Sequence, residues 1–239
     1  MHEPVVLGQT AGVVAILKPA GLATQAPAGV PSVEAWLRGR LHGGDDRGYV
    51  GVPHRLDRCV TGVVLMAATP RAARKLSRQF ERRQVAKVYL AVVSAPTAAA
   101  RAPADTAVEW RDFIEKVPDE PRSRTTGVAT ATAREGVTVV RRLPASSPHD
   151  DAWLLHLEPQ TGRMHQLRLQ AAVRGLPIVG DELYGGLPLE PGAARSRPVL
   201  LHAWRITYLD PDRDVPVTIE APLPEHWPAW ARPSPSACW

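Results

Sequence analysis

The sequence predicts a fold that mixes short β-strands with amphipathic α-helices in a single domain, and three observations carry this expectation. Apolar runs of strand length, Val13–Leu17 and Val63–Ala68, are each followed by a Pro-containing turn or helix-start signal. Helix-start patterns stand at Ser32 and at Thr69-Pro70, each ahead of apolar residues at helical spacing. The length of 239 residues fits one substantial core or two small lobes sharing a cleft, and neither a repeat nor a break in composition marks off a second module.

Taken in order, Val13–Leu17 reads as a buried strand closed by the turn Lys18-Pro19-Ala20-Gly21. Ser32 caps a helix carrying Val33, Trp36, Leu37 and Leu41 on one face, stopped at Gly43-Gly44. The strand Val63–Ala68 leads into a helix capped by Thr69, with Pro70 in its first turn, that should bury Ala73, Leu76 and Phe80. Alternation places Tyr89 with Ala91 and Val93 on one face of a strand. Ala95 to Thr106 reads as a surface connection. Val137–Val140 and Trp153–Leu157 read as paired strands joined through Ser146-Ser147-Pro148. A further helix is expected after Thr161-Gly162, ending at Gly175 with Pro177 beyond. Past Leu223 the Pro and Trp residues suggest an irregular strapped ending, mobile from Arg232 on.

The 29 Lys and Arg against 24 Asp and Glu give a net charge of +5. The excess is concentrated: Arg71, Arg74, Lys75, Arg78, Arg82, Arg83 and Lys87 share their stretch with Glu81 as the single acid. Such a block suits a polyanion, with nucleic acid first and an acidic membrane surface second, or else forms a solvated helix face that binds nothing. Cys59 and Cys238 lie far apart without a neighbour at metal-ligand spacing, so a disulfide scaffold is not expected and a reducing cytosol is the simpler setting. Met1-His2-Glu3-Pro4 lacks the pattern of a signal peptide, and no apolar run approaches membrane-spanning length. A soluble cytoplasmic chain is expected.

Gly-rich phosphate loops, Gly-x-Ser-x-Gly elbows, Cys-x-x-Cys pairs and zinc-binding His-Glu-x-x-His helices are all missing from the sequence. ATP hydrolysis, serine-esterase chemistry, a structural zinc and dinucleotide binding lose support. What remains is an acid, a phenol and several cations. Asp57, between Arg55 and Arg58, has cations on both sides that favour an ionised acid. It suits a nucleophile or stabiliser at a sugar carbon, while a salt bridge at a strand entrance is the commoner meaning of so short a match standing alone. Tyr89 reads as core packing or as a ring that stacks on an extruded base while its hydroxyl moves a proton. Arg55 either pairs with a carboxylate or fills the gap of a flipped nucleotide and holds phosphate. Arg163 serves phosphate or local structure, and His54, His165 and His202 read as hydrogen-bonding supports.

Five blocks in fixed order carry a family likeness: His54-Arg55-Leu56-Asp57 with Gly62, Lys87-Val88-Tyr89, Thr161-Gly162-Arg163-Met164-His165-Gln166-Leu167-Arg168, Gly180-Asp181-Glu182-Leu183-Tyr184-Gly185, and Leu201-His202-Ala203. Together they resemble the RluA-type pseudouridine synthases, over about Val13 to Leu223. The chain departs from that pattern at Val60 and Thr61, where the family has Thr and Ser, at Met164 for Thr, at Gln170 for His, and at Ser94-Ala95 for a glycine.

The resemblance implies an α+β fold, with a mixed and mostly antiparallel sheet, flanking helices and a central cleft. It implies isomerisation of uridine in RNA to pseudouridine, with no metal and no organic cofactor. Asp57 would be the essential acid, Tyr89 the base-stacking phenol and Arg168 the partner of Asp57. Arg55, Arg163, Arg71, Arg74, Arg78 and Arg82 would contact the RNA, whether ribosomal or transfer RNA, and the enzyme would be a monomer. The pattern starts almost at Met1, so no separate N-terminal RNA-binding domain is expected. Two further classes compete: a noncatalytic RNA-binding protein on a decayed synthase, and a glycosidase in which water captures the sugar.

Overall fold

The computed structural model describes residues 3–10, 12–43, 48–94, 106–144, 147, 151–187 and 198–232. Gly44, the connection over 95–105, Ser146, Pro148, Cys238 and the chain beyond Arg232 lie outside them. In chain order the elements are β1 (Val5–Gln9), β2 (Val13–Lys18), α1 (Val33–Leu41), β3 (Thr61–Ala67), α2 (Pro70–Glu81), β4 (Ala86–Ser94), β5 (Val108–Lys116), β6 (Ser123–Thr126), β7 (Arg134–Leu143), β8 (Ala152–Pro159), α3 (Gln166–Ala172), β9 (Leu201–Leu209) and β10 (Pro216–Glu220). Single 3-10 turns follow α3 and β10, at Glu182–Tyr184 and Ala229–Ala231. Short helices among mostly antiparallel strands make this the expected α+β class.

The chain divides into two compact units. The first comprises Met1–Lys87 and His202–Pro222. Here β2 pairs antiparallel with β1 and β3, β3 pairs in parallel with β9 at Thr61–His202 and Gly62–Ala203, and β10 pairs antiparallel with β9. Val13, Ala15, Val63, Leu65 and Ala67 form a core with Ala72 and Leu76 of α2 and with Ile206 and Tyr208 of β9. Every residue of β3 is buried, so its sequence runs apolar without alternation. Both helix starts are as expected: Ser32 Oγ accepts from the Ala35 N–H at 3.1 Å, and Thr69 Oγ1 from the Ala72 N–H at 3.2 Å.

The buried face of α2 is rotated from the expected one. It buries Ala72, Leu76 and Gln79, while Ala73 and Phe80 are only partly covered. Gln79 draws the helix round, because its amide donates to Leu209 O and accepts from Leu209 N–H, both at 2.9 Å.

The second unit comprises Val88–Leu201 and Leu223–Trp239. Its strands run β4-β8-β7-β5-β6, all antiparallel, with Val140 of β7 opposite Leu157 of β8 as the paired-strand reading required. The helix expected from Gly162 begins only at Gln166, because His165 sits in the left-handed region at φ 54°. It ends as expected near Gly175, which has φ 72°, and Leu176 N–H closes the turn on Ala171 O at 3.0 Å. Gln166 and Gln170, one turn apart, fasten α3. Gln166 Nε2 donates to Val137 O and Thr138 Oγ1, and Gln170 Nε2 to Trp110 O, Gly136 O and the Asp112 carboxylate. Gln170, which stands for a family His, is therefore fully used. The ending is strapped by Trp227, 2% exposed, whose indole N–H donates to Ala231 O.

Candidate active site

Asp57 sits in an irregular turn between β-bridge residue Gly51 and β3, and its carbonyl accepts the Val60 N–H at 3.0 Å. The turn is held from three directions. Thr24 Oγ1 donates to Leu56 O at 2.9 Å and accepts from Leu56 N–H at 3.1 Å. Gly21 N–H donates to Arg58 O at 2.8 Å, and Arg58 Nε donates back to Gly21 O at 2.7 Å. Lys18, fully buried at the end of β2, donates to Pro19 O, Leu22 O and Arg58 O at 2.9, 2.8 and 3.1 Å. Three ammonium hydrogens meet three carbonyls, so the buried charge is solvated by main chain. Burial pulls its pKa down to about 8, against the opposing pull of Cys59 and Asp57.

The glycine of the signature has a backbone reason. Gly62 has φ 119°, and a Cβ there would stand 2.3 Å from Ala203 O, so only glycine permits β3 and β9 to pair at this point. Beside it, Thr61 Oγ1 and His202 Nδ1 are 2.7 Å apart, both buried. Since Ala221 O, 3.3 Å from His202 Nε2, can only accept, Nε2 carries the hydrogen and Nδ1 accepts from Thr61. The support role read for His202 holds, and Thr61 anchors β3 where Val60 contributes a 2% exposed apolar side chain.

His54 ties the same loop to α2. Its ring stacks on Phe80 at 4.4 Å between centroids, and its Nε2 accepts from Leu65 N–H at 2.9 Å. Burial, with a smaller contribution from Lys87, drives its pKa down to about 3, which keeps the accepting lone pair. Arg55 is exposed on the loop. Arg71, Arg74, Arg78 and Arg82 all lie exposed along one stripe of α2 and its cap. Lys75 does not join them, because it reaches to Pro211 O and lies 3.6 Å from Asp214.

In the second unit Tyr89 lies on β4 opposite Leu157, partly buried, with Ala91 and Val93 buried along its face. Arg163 Nε donates to Glu135 O at 2.9 Å, which gives it a structural anchor ahead of α3. Arg168 projects from α3, 6% exposed. Its Nε and Nη2 donate to the two carboxylate oxygens of Asp181 at 2.7 and 2.6 Å. The Tyr184 ring lies 5.2 Å from its guanidinium carbon, and the Tyr184 hydroxyl is 2.9 Å from His165 Nδ1.

Residues 12–173 match the sequence model of the RNA pseudouridylate synthase family. The chain belongs to that family. It is an RNA pseudouridine synthase, an enzyme that isomerises uridine in RNA. Among its relatives, tRNA pseudouridine synthase C of Salmonella typhi is 34% identical over 189 residues, covering 75% of this chain and 70% of that protein. Ribosomal large subunit pseudouridine synthase D of Xylella fastidiosa is 34% identical over 222 residues, covering 88% of this chain and 63% of that protein. Of solved structures, human RNA pseudouridylate synthase domain containing 4 superposes with a TM-score of 0.70 at 24% identity, covering 92% of this chain and 88% of that one. That likeness supports the synthase fold.

Lys18, Thr24 and Asp181 escaped the sequence reading. Asp181 stood in a quoted block without a role, and the pair Gly180 and Gly185 around it was the available signal, since both adopt positive φ.

Proposed function

We propose that this synthase acts on a uridine in structured ribosomal or transfer RNA, with Asp57 as the essential acid once the base has left its stack. The single observation that carries the reading is the anchoring of the Asp57 turn by Lys18, Thr24 and Gly21, which fixes the main chain on either side of this carboxylic acid before any substrate arrives. The exposed arginine stripe of α2 supports a phosphate-bearing substrate. The names of relatives support both RNA classes, one acting on tRNA and another on the large ribosomal subunit.

In this reading Asp57 acts at the sugar, by attack on C1′ or by a route through C2′. The base detaches, rotates and rejoins through C5. The C5 hydrogen leaves as a proton and N1 gains one, so nothing is consumed. Tyr89 stacks on the base and moves a proton, Arg168 is the cationic partner of Asp57, and Arg55 fills the vacated stack or holds phosphate. Arg163 and the α2 arginines hold the backbone.

The test maps pseudouridines in total RNA from cells with and without the gene. A site lost from ribosomal or transfer RNA and restored by the wild-type gene, but not by Asp57→Asn, is expected. An unchanged map, or restoration by the variant, overturns the reading.

A further inference from the structure

We propose that Asp181 is a positioning residue for the reaction, which sets the Arg168 guanidinium in one orientation. The proposal rests on Arg168 being the cationic partner of Asp57. Two parallel hydrogen bonds, Nε to Oδ2 at 2.7 Å and Nη2 to Oδ1 at 2.6 Å, hold the guanidinium plane as well as its position. The side chains are 7% and 1% exposed, so water does not compete for either bond.

The carboxylate is itself held by a stiff turn. Asp181 N–H donates to Ile178 O at 3.0 Å, while its carbonyl accepts from Tyr184 N–H at 3.1 Å and Gly186 N–H at 2.8 Å. Gly180 and Gly185 adopt φ 81° and 84°, and a Cβ on Gly186 would lie 1.9 Å from Ile178 O. A side chain would be strained at Gly180 and Gly185 and would clash at Gly186, so the turn favours glycine at these places. From it Tyr184 lies against the guanidinium, and Ser123 N–H donates to the Tyr184 hydroxyl at 2.9 Å. An arginine on a flexible stem thus reaches the reaction already oriented, and reorientation does not have to accompany each turnover.

An ion pair that merely joined α3 to the turn would affect folding and leave turnover alone, so the experiment separates the two. Single-turnover and steady-state rates on a substrate RNA are compared for wild type, Asp181→Asn, Asp181→Glu, Arg168→Gln and the double variant Arg168→Gln/Asp181→Asn, with melting temperatures alongside. Asp181→Asn is expected to lower kcat about a hundredfold with KM unchanged, and Asp181→Glu, which keeps the charge one methylene further out, to fall between it and wild type. In the Arg168→Gln background Asp181→Asn should cost nothing more. Wild-type kcat in a folded Asp181→Asn or Asp181→Glu protein overturns the proposal, and so does an additive loss in the double variant. Should Asp181→Asn not fold, the Glu variant alone decides. Wild-type kcat in Arg168→Gln instead strikes the role given to Arg168, and the proposal falls with its premise.

Discussion

The ammonium of Lys18 donates to the carbonyl oxygen of Arg58 at 3.1 Å, which ties the end of β2 to the residue after Asp57. The same carbonyl accepts Gly21 N–H, so one main-chain oxygen gathers the strand end, the following turn and the Asp57 segment. Because the cation is buried, its protonation state and the anchoring of the turn are linked.

The folded pKa of Lys18, about 8, lies below the ordinary 10.5. The native state therefore releases this proton first, and the cost of burying the charge is relieved as pH rises from about 8 to 10.5. The difference, 10.5 − 8, is about 2.5 units, or at most roughly 3 kcal/mol. The stability gap between wild type and Lys18→Met in urea titrations should change by up to that amount between pH 7.5 and 10.5. A gap independent of pH would show that Lys18 does not titrate there.

His54 works at the acid end. Its folded pKa of about 3 lies below the ordinary 6.5, so the unfolded chain binds a proton that the native state refuses. Stability from this group is complete above pH 6.5 and is lost as pH falls toward 3, by roughly 5 kcal/mol at most. His54→Gln, which retains an acceptor for Leu65 N–H, should lose less stability than wild type between pH 6.5 and 4. Parallel losses in the two proteins would remove His54 from the acid response.

How far the sequence revealed these elements follows from their physics. α2 and β3 were legible because a Thr-Pro cap and an unbroken apolar run are local signals. β5 was not, since Glu109, Arg111, Asp112 and Glu115 break its apolar pattern. Arg111 pairs with Glu135 across the β5–β7 ladder, and Trp110 and Ile114 are its buried anchors. The late start of α3 depends on one left-handed residue, His165, that no propensity foretells. Of the site, the loop carrying Asp57 was legible as a motif, but Lys18 reads in sequence like any lysine before proline. The grip of Asp181 on Arg168 depends on glycine φ angles and on a partner thirteen positions along the chain.

Asp57→Asn tests the proposed acid. It should abolish tritium release from C5-tritiated uridine in RNA while leaving melting temperature and RNA affinity near wild type. One carboxylate adds little to an interface dominated by phosphate contacts. Substantial release by the variant would remove Asp57 from the chemistry.

The arginine stripe makes a salt-dependent prediction. Each phosphate contact to single-stranded RNA adds about 0.7 to the slope of log affinity against log salt. Arg74, Arg78 and Arg82 are exposed along α2 and its cap, and replacing all three by Gln should flatten the slope by up to about 2 and raise KM. Lys75→Gln should alter the slope little, because its ammonium is engaged with Pro211 and Asp214. A slope unchanged by the triple variant returns the stripe to a solvated surface.

Tyr89 separates recognition from chemistry. The partly buried ring shares its strand face with buried Ala91 and Val93, so packing alone would explain an aromatic there. Tyr89→Phe keeps the ring and removes the hydroxyl. Stacking of a base on an aromatic is worth about 1–3 kcal/mol, so Phe should bind RNA like wild type and Leu somewhat more weakly. Loss of a positioned proton donor slows turnover by about two to four powers of ten. Unchanged binding with collapsed turnover is the expected pattern for Phe, read by filter binding and tritium release on the same RNA. Normal turnover in Tyr89→Phe would assign the residue to packing, with the proton moved by another group.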